Sequence, residues 1–139
     1  MIVLDTNILS EPIKPHPSKN VLGWLAQWTP SSLYTTAVSQ AEILAGVELL
    51  PSGKRKTSLS DAVSRMFLES FPERILPFDP AAAQAYSKIV AHSKRAGRPI
   101  SMADAMIAAI VQTHQATLVT RNVEDFSQCG IRLINPWKA

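Results

Sequence analysis

The chain has 139 residues, 46% of them hydrophobic and 18% charged, a balance that supports one packed domain and excludes a disordered or low-complexity protein. Fourteen Lys and Arg against eleven Asp and Glu leave a net charge of +3, which permits a nucleic-acid partner without requiring one. The single cysteine, Cys129, excludes an internal disulfide. No basic stretch precedes the first apolar run and the longest apolar stretch, Ala105 to Val111, is too short for a bilayer, so a cytoplasmic protein is expected.

In chain order, the aliphatic run Ile2 to Leu4 reads as a buried strand. A short helix starts near Asn7 and is ended or kinked by Pro12, Pro15 and Pro17. "SKNVLGWLAQW" reads as helical, with Trp28 following Trp24 by four residues. "SLYTT" is a second strand. "SQAEILAGVELL" is a helix closed by Pro51 and Gly53. "TSLSDAVSRMFLESF" carries Leu59, Val63, Met66, Phe67 and Phe71 as an amphipathic stripe. "RILPF" is a third strand, placed at an edge by Pro77. Asp79 caps a helix with Pro80 at its first position, and that helix stops at Gly97. "SMADAMIAAIVQTHQ" is a helix whose small residues allow close packing. "ATLVT" and "IRLIN" are the fourth and fifth strands. Strands alternating with helices predict an α/β domain over residues 1–139 with a mostly parallel, about five-stranded sheet.

In such a sheet, ligands sit beyond the carboxyl ends of the strands. Asp5 follows the first strand, Glu42 the second, and Asn122 and Asp125 the fourth. Asp104 joins them if its helix starts at that edge. Each acid also has a local explanation. Ser39-x-x-Glu42 matches a capping box, Ser101-x-x-Asp104 resembles one, and Asn122-x-x-Asp125 could do the same work. Those explanations give no reason for the acids to meet at one edge. Four carboxylates together raise one another's pKa, and a bound cation removes that cost. Oxygen donors with few nitrogen or sulfur partners select Mg²⁺ or Mn²⁺.

The other candidate donors read as structural. His16, His92 and His114 share no ligand spacing, and Cys129 has no evident partner that would activate it. The basic clusters Lys54, Arg55 and Lys56, and Lys94, Arg95 and Arg98, are either solvated faces or grips for phosphates. Lys54, Arg55, Lys56 and Arg98 are the candidate RNA contacts.

"LDTNILSE", "AEILAGV", "MADAMIAAI" and "LVTRNVEDF", in that order, resemble the PIN-domain ribonucleases. The closest likeness is to the VapC-type toxins of bacterial toxin–antitoxin pairs, in their FitB-like branch, and it spans nearly the whole chain. The resemblance implies a three-layer α/β/α sandwich and a homodimer. It also implies Mg²⁺- or Mn²⁺-dependent RNA cleavage, with transfer RNA a natural substrate. The implied partner is a VapB-like antitoxin, which carries a dimer of heterodimers onto operator DNA. Carried over by position, Asp5, Glu42 and Asp104 form the acidic, metal-holding core. Thr6, Asn7, Ser39, Thr120 and Asn122 fall on supporting polar positions. Many relatives have Asp directly after "TR", where this chain has Asn122, so the fourth ligand is either Asn122 or Asp125. Asp125, acting through a water, is the expectation.

Two rivals stand beside this reading. A haloacid-dehalogenase-like phosphatase would use Asp5 as nucleophile, although such enzymes present Asp-x-Asp and here the third residue is Asn7. A catalytically silent RNA- or protein-binding module is the other.

Overall fold

The computed structural model describes residues 1–139. Its centre is a five-stranded sheet: β1 (Ile2–Leu4), β2 (Leu33–Thr36), β3 (Ile75–Leu76), β4 (Thr117–Val119) and β5 (Arg132–Ile134). The strand order is β3-β2-β1-β4-β5, and every pairing is parallel. The "mostly parallel" sheet expected from the sequence is entirely so, and β3 lies at an edge as Pro77 indicates. The chain builds outward from β1 through β2 to β3, then returns to lay β4 on the other side of β1. The order therefore reverses between β1 and β4, the position where open α/β sheets bind their ligands.

Six α-helices cover the sheet: α1 (Thr6–Ser10), α2 (Lys19–Leu25), α3 (Ala37–Glu48), α4 (Lys54–Arg65), α5 (Pro80–Arg95) and α6 (Met102–Thr113). Strand residues alternate between two cores, as the pleat requires. Val3 and Leu118 point to one face, where α5 and α6 supply Ala82, Ile89 and the fully buried run Ile107 to Val111. Leu4 and Val119 point to the other, with Ile8, Val21, Trp24, Val63, Phe67 and Phe71. The result is three layers, helices on sheet on helices.

Local chemistry sets most helix ends. Asp79 accepts from the Ala82 N–H at 2.9 Å, with Pro80 in the first turn of α5. Ser101 caps α6 by accepting from the Asp104 N–H at 3.1 Å. At α5's far end Gly97 takes φ +69°, and the N–H groups of Gly97 and Arg98 return to the carbonyls of Lys94 and Ser93. This closed turn needs a left-handed residue, which glycine supplies without a Cβ clash.

Three expectations are corrected. The helix after β2 begins at Ala37, capped by Thr36, whose hydroxyl accepts from the Ser39 N–H at 3.0 Å. Ser39 therefore lies inside the helix, and the Ser39-x-x-Glu42 capping box does not form. Asn122 makes no side-chain cap; the turn Val123–Phe126 is 3-10, and the Asp125 N–H bonds the Asn122 carbonyl at 3.1 Å. α4 starts three residues earlier than the apolar stripe indicates. It takes in Lys54 to Lys56 and continues as a π-helical turn, Met66–Ser70. The stripe itself packs inward, with Val63, Phe67 and Phe71 all buried.

Candidate active site at the carboxyl edge of the sheet

Asp5 forms the floor of the site. Its backbone N–H continues the ladder onto the Val119 carbonyl at 2.9 Å, so the sheet itself fixes where the side chain starts. Asp5 is 4% exposed. Oδ1 accepts from the Thr6 N–H at 2.8 Å, capping α1, and Oδ2 accepts from the Thr120 hydroxyl at 2.7 Å. Burial pushes the Asp5 carboxyl above its ordinary value. The two hydrogen bonds oppose that shift, and the charges of Glu42 and Asp125 add to it.

Hydroxyls from both flanking strands surround this floor. Thr35 donates to the Leu4 carbonyl at 2.8 Å and is fully buried, as are Thr36, Ser39 and Thr120. Thr6 Oγ1 stands 2.6 Å from Glu42 Oε1 and 3.0 Å from Ser39 Oγ. With one proton to give, Thr6 donates to the carboxylate. Asn7 Oδ1 accepts from the Arg121 N–H at 3.2 Å, and its amide nitrogen lies 3.5 Å from both Asp5 Oδ2 and Thr120 Oγ1. Thr120 Oγ1 also accepts from the Asn122 N–H at 3.0 Å. The positions named from sequence as Thr6, Asn7, Ser39 and Thr120 thus form one hydrogen-bonded set around Asp5 and Glu42. Asn122 joins that set through its backbone.

Asp104 stands in the first turn of α6, half-buried. Its carboxyl is pushed up to about 6, first by burial, then by the negative charge of Asp5, and further by Asp125 and Glu42; the Ser101 hydroxyl partly offsets this. The mutual influence brings the expected acids into one electrostatic neighbourhood. Asp5 lies at its floor, Asp104 on its wall, and exposed Glu42 and Asp125 at its rim. None of them has a cationic partner: the two ion pairs in the molecule, Lys14–Glu11 and Lys56–Glu48, lie elsewhere.

The donor set fits a hard cation in its chemistry, being all oxygen, anionic and uncompensated. No three His, Cys, Asp or Glu side chains close around a common point.

Of the basic candidates, Lys54, Arg55 and Lys56 fall outside this neighbourhood. Lys56 donates to the Glu48 carbonyl at 3.0 Å, six residues past Glu42, or about 9 Å further along α3. Lys54, Arg55 and Lys56 thus begin α4 near the far end of α3. Arg98 lies beside the 3-10 turn, with its guanidinium 3.4 Å from Ser127 Oγ. Cys129 is buried, and burial with the Asp104 charge pushes its thiol up to about 11, so it is no nucleophile at neutral pH.

Two elements of the surroundings were not singled out from the sequence. Glu11 is a buried acid that accepts from the Ser18 N–H at 2.9 Å and from Lys14 at 3.0 Å, which hold it below the usual carboxylate range. Its partners explain it as a brace for the start of α2. Arg121 stacks over the Trp137 ring at 4.9 Å, tying the segment after β4 to the chain's last residues. The Glu11–Lys14 spacing of three is a local signal that the sequence offered, whereas nothing local links Arg121 to Trp137, sixteen residues on.

The PIN domain family model matches residues 2–130. The toxin FitB of Neisseria gonorrhoeae is 39% identical over 99% of each chain. The VapC ribonuclease Y4jK of Sinorhizobium fredii is 37% identical, again over 99% of each. Among solved structures, that of FitAB bound to an IR36 DNA fragment superposes with a TM-score of 0.93 and 39% identity, covering 99% of this chain and 96% of that one. No helix of this chain is long and apolar enough to cross a membrane.

Proposed function

The chain belongs to the PIN-domain family, and on that premise we propose that it is a metal-dependent endoribonuclease, the toxin of a VapBC-like toxin–antitoxin pair. The observation that carries the reading is the uncompensated carboxylate group of Asp5, Glu42, Asp104 and Asp125 at the switch point of the sheet, with Asp104 raised to about 6 by burial first and by the charges of the other three after it. The names of the relatives support the nuclease and the toxin.

On this reading residues 1–139 form one PIN domain. Asp5 and Asp104 hold Mg²⁺ or Mn²⁺, with Glu42 beside them and Asp125 acting through a water. The ion supplies charge stabilisation on the phosphate and lowers the pKa of a water. The chain's own contribution is fixed geometry. Thr6 N–H and Thr120 hydroxyl lock Asp5 so that its carboxylate does not reorganise. Glu42 Oε1 is engaged by Thr6, which leaves Oε2 to orient the attacking water and take its proton. That water attacks phosphorus as the bond to the 3′ oxygen breaks; the departing 3′ oxygen takes a proton from solvent, leaving a 5′-phosphate and a 3′-hydroxyl.

The partners proposed are a VapB-like antitoxin, a second copy of the chain, and RNA, with transfer RNA a suitable substrate class. The antitoxin is expected to answer the carboxylates with an Arg, whose planar fork matches them. The phosphatase reading fits less well. Both Asp5 oxygens already accept hydrogen bonds, and Asn7, at the place of a second acid, bonds the Arg121 backbone instead.

The test is incubation of the purified chain with total RNA and Mg²⁺, against the same mixture with chelator, followed by end-group analysis. Metal-stimulated cleavage to 5′-phosphates is expected. RNA bound but never cut would favour the silent module, and a trapped phospho-aspartate would favour the phosphatase.

A further inference from the structure

Beside the carboxylates lies a cavity of about 510 Å³ between the end of α5 and the 3-10 turn, lined among others by Arg98, Asp125, Ser127, Gln128 and Cys129. Asp125 belongs to both places: it faces Asp5 and Asp104 electrostatically and lines the cavity. The cavity and the proposed site therefore share one carboxylate, Asp125.

Arg98, an exposed residue, lines this cavity from a fixed backbone. Its N–H bonds the Ser93 carbonyl at 3.0 Å, and the buried Ser93 hydroxyl donates back to the Arg98 carbonyl. Gly97 before it holds the left-handed turn, and Pro99 after it fixes the next φ. The backbone is thus pinned on both sides. The guanidinium is not pinned. It has five N–H donors, meets Ser127 at 3.4 Å, and forms no ion pair although Glu124 and Asp125 line the same cavity. A cation with spare donors on a fixed backbone, in the cavity that Asp125 also lines, suits a phosphodiester. An acidic centre repels the RNA backbone, and the nucleotides flanking the cut need a positive grip close by.

We propose that this cavity is the subsite for the nucleotide next to the scissile bond, with Arg98 holding its phosphate and Ser127 and Gln128 offering polar contacts to sugar or base. The proposal rests on the ribonuclease reading. Arg98 acts on binding and positioning, not on the bond itself.

The test uses the full chain and a labelled, mixed-sequence single-stranded RNA, with affinity measured at several salt concentrations with Ca²⁺ present and cleavage measured with Mg²⁺. Arg98→Ala is expected to weaken RNA binding about tenfold, the loss of a charge-assisted contact. It should also make the plot of log affinity against log salt shallower by about 0.7, one phosphate contact on a single strand. KM should rise more than kcat falls. Arg98→Lys should keep the salt slope while recovering part of the affinity. Gln128→Ala should weaken binding without changing the slope. A parent that cleaves RNA while Arg98→Ala binds with unchanged affinity and slope overturns the subsite and leaves the nuclease standing. A parent that neither binds nor cleaves RNA overturns both.

Discussion

Thr120, at the end of β4, donates its hydroxyl to Asp5 Oδ2, at the end of β1, at 2.7 Å and out of contact with solvent. The bond crosses the point where the strand order reverses, and it joins residues 115 apart in sequence. It does two things: it stabilises the charged form of a buried carboxylate, and it fixes that carboxylate's orientation.

Thr120→Val keeps the shape and removes the donor. A buried acceptor left short of its partner costs about 1–3 kcal/mol, so the variant should melt earlier. The Asp5 carboxyl should rise further, since the hydroxyl is the larger of the two bonds that lower it. Mn²⁺ affinity should fall roughly 10–100-fold, as for other groups that orient a ligand. Melting curves and calorimetry measure the two effects separately, and an unchanged Mn²⁺ affinity would show that the bond is structural only.

Asp5→Asn and Asp104→Asn should each abolish RNA cleavage. Neither should destabilise the metal-free protein, because each removes one charge from a repelling group. The expected pattern is lost cleavage with an equal or higher melting temperature without metal. Cleavage that survives in either variant would contradict the assignment.

The Asp104 carboxyl titrates near 6 in the folded chain against 3.8 in a free side chain. The folded state therefore binds more protons than the unfolded state between those values, and stability falls as pH rises through that window. Metal-free protein should melt at a higher temperature near pH 4 than near pH 6.5, as far as this group decides. Divalent metal, which requires the ionised form, should reverse the trend. Ser101→Ala removes both the cap of α6 and the hydroxyl that lowers Asp104. Its cost should be about 1 kcal/mol, and the midpoint of the metal-affinity profile should move to higher pH.

Asp125 and Asn122 divide the fourth position. Asp125 carries the charge that reaches Asp5 and Asp104, while Asn122 shapes the turn through its backbone. Asp125→Asn should weaken Mn²⁺ binding about 10–100-fold, and Asn122→Asp should strengthen it. A parent-like affinity in Asp125→Asn together with a loss in Asn122→Ala would exchange the two roles.

The strands, the order of elements and the acid positions were legible because short aliphatic runs, each followed by a polar residue, carry that information locally. Asp79 with Pro80 and the buried stripe from Val63 to Phe71 fall where their patterns place them. The errors lie where two local signals competed. Thr36 and Ser39 are both good caps, and only the end of β2 decides that Thr36 caps the helix. Lys54 to Lys56 are poor residues for a helix start, yet Lys56 anchors there by capping the preceding helix. The cavity at Arg98 had no sequence signal beyond a basic cluster, because it exists only where the end of α5 meets a turn nearly thirty residues on, as in the Arg98–Ser127 contact.

The central place of β1 has a consequence for biogenesis. The first strand to leave the ribosome is the one that must wait longest, since its β4 neighbour pairs Ile2 with Thr117. At roughly 5–20 residues per second, that wait is on the order of ten seconds. Until β4 docks, Asp5 lacks both the Val119 carbonyl and the Thr120 hydroxyl. A chain cut short of β4 therefore has no assembled carboxylate centre, and the site forms only once β4 and the residue after it have been made.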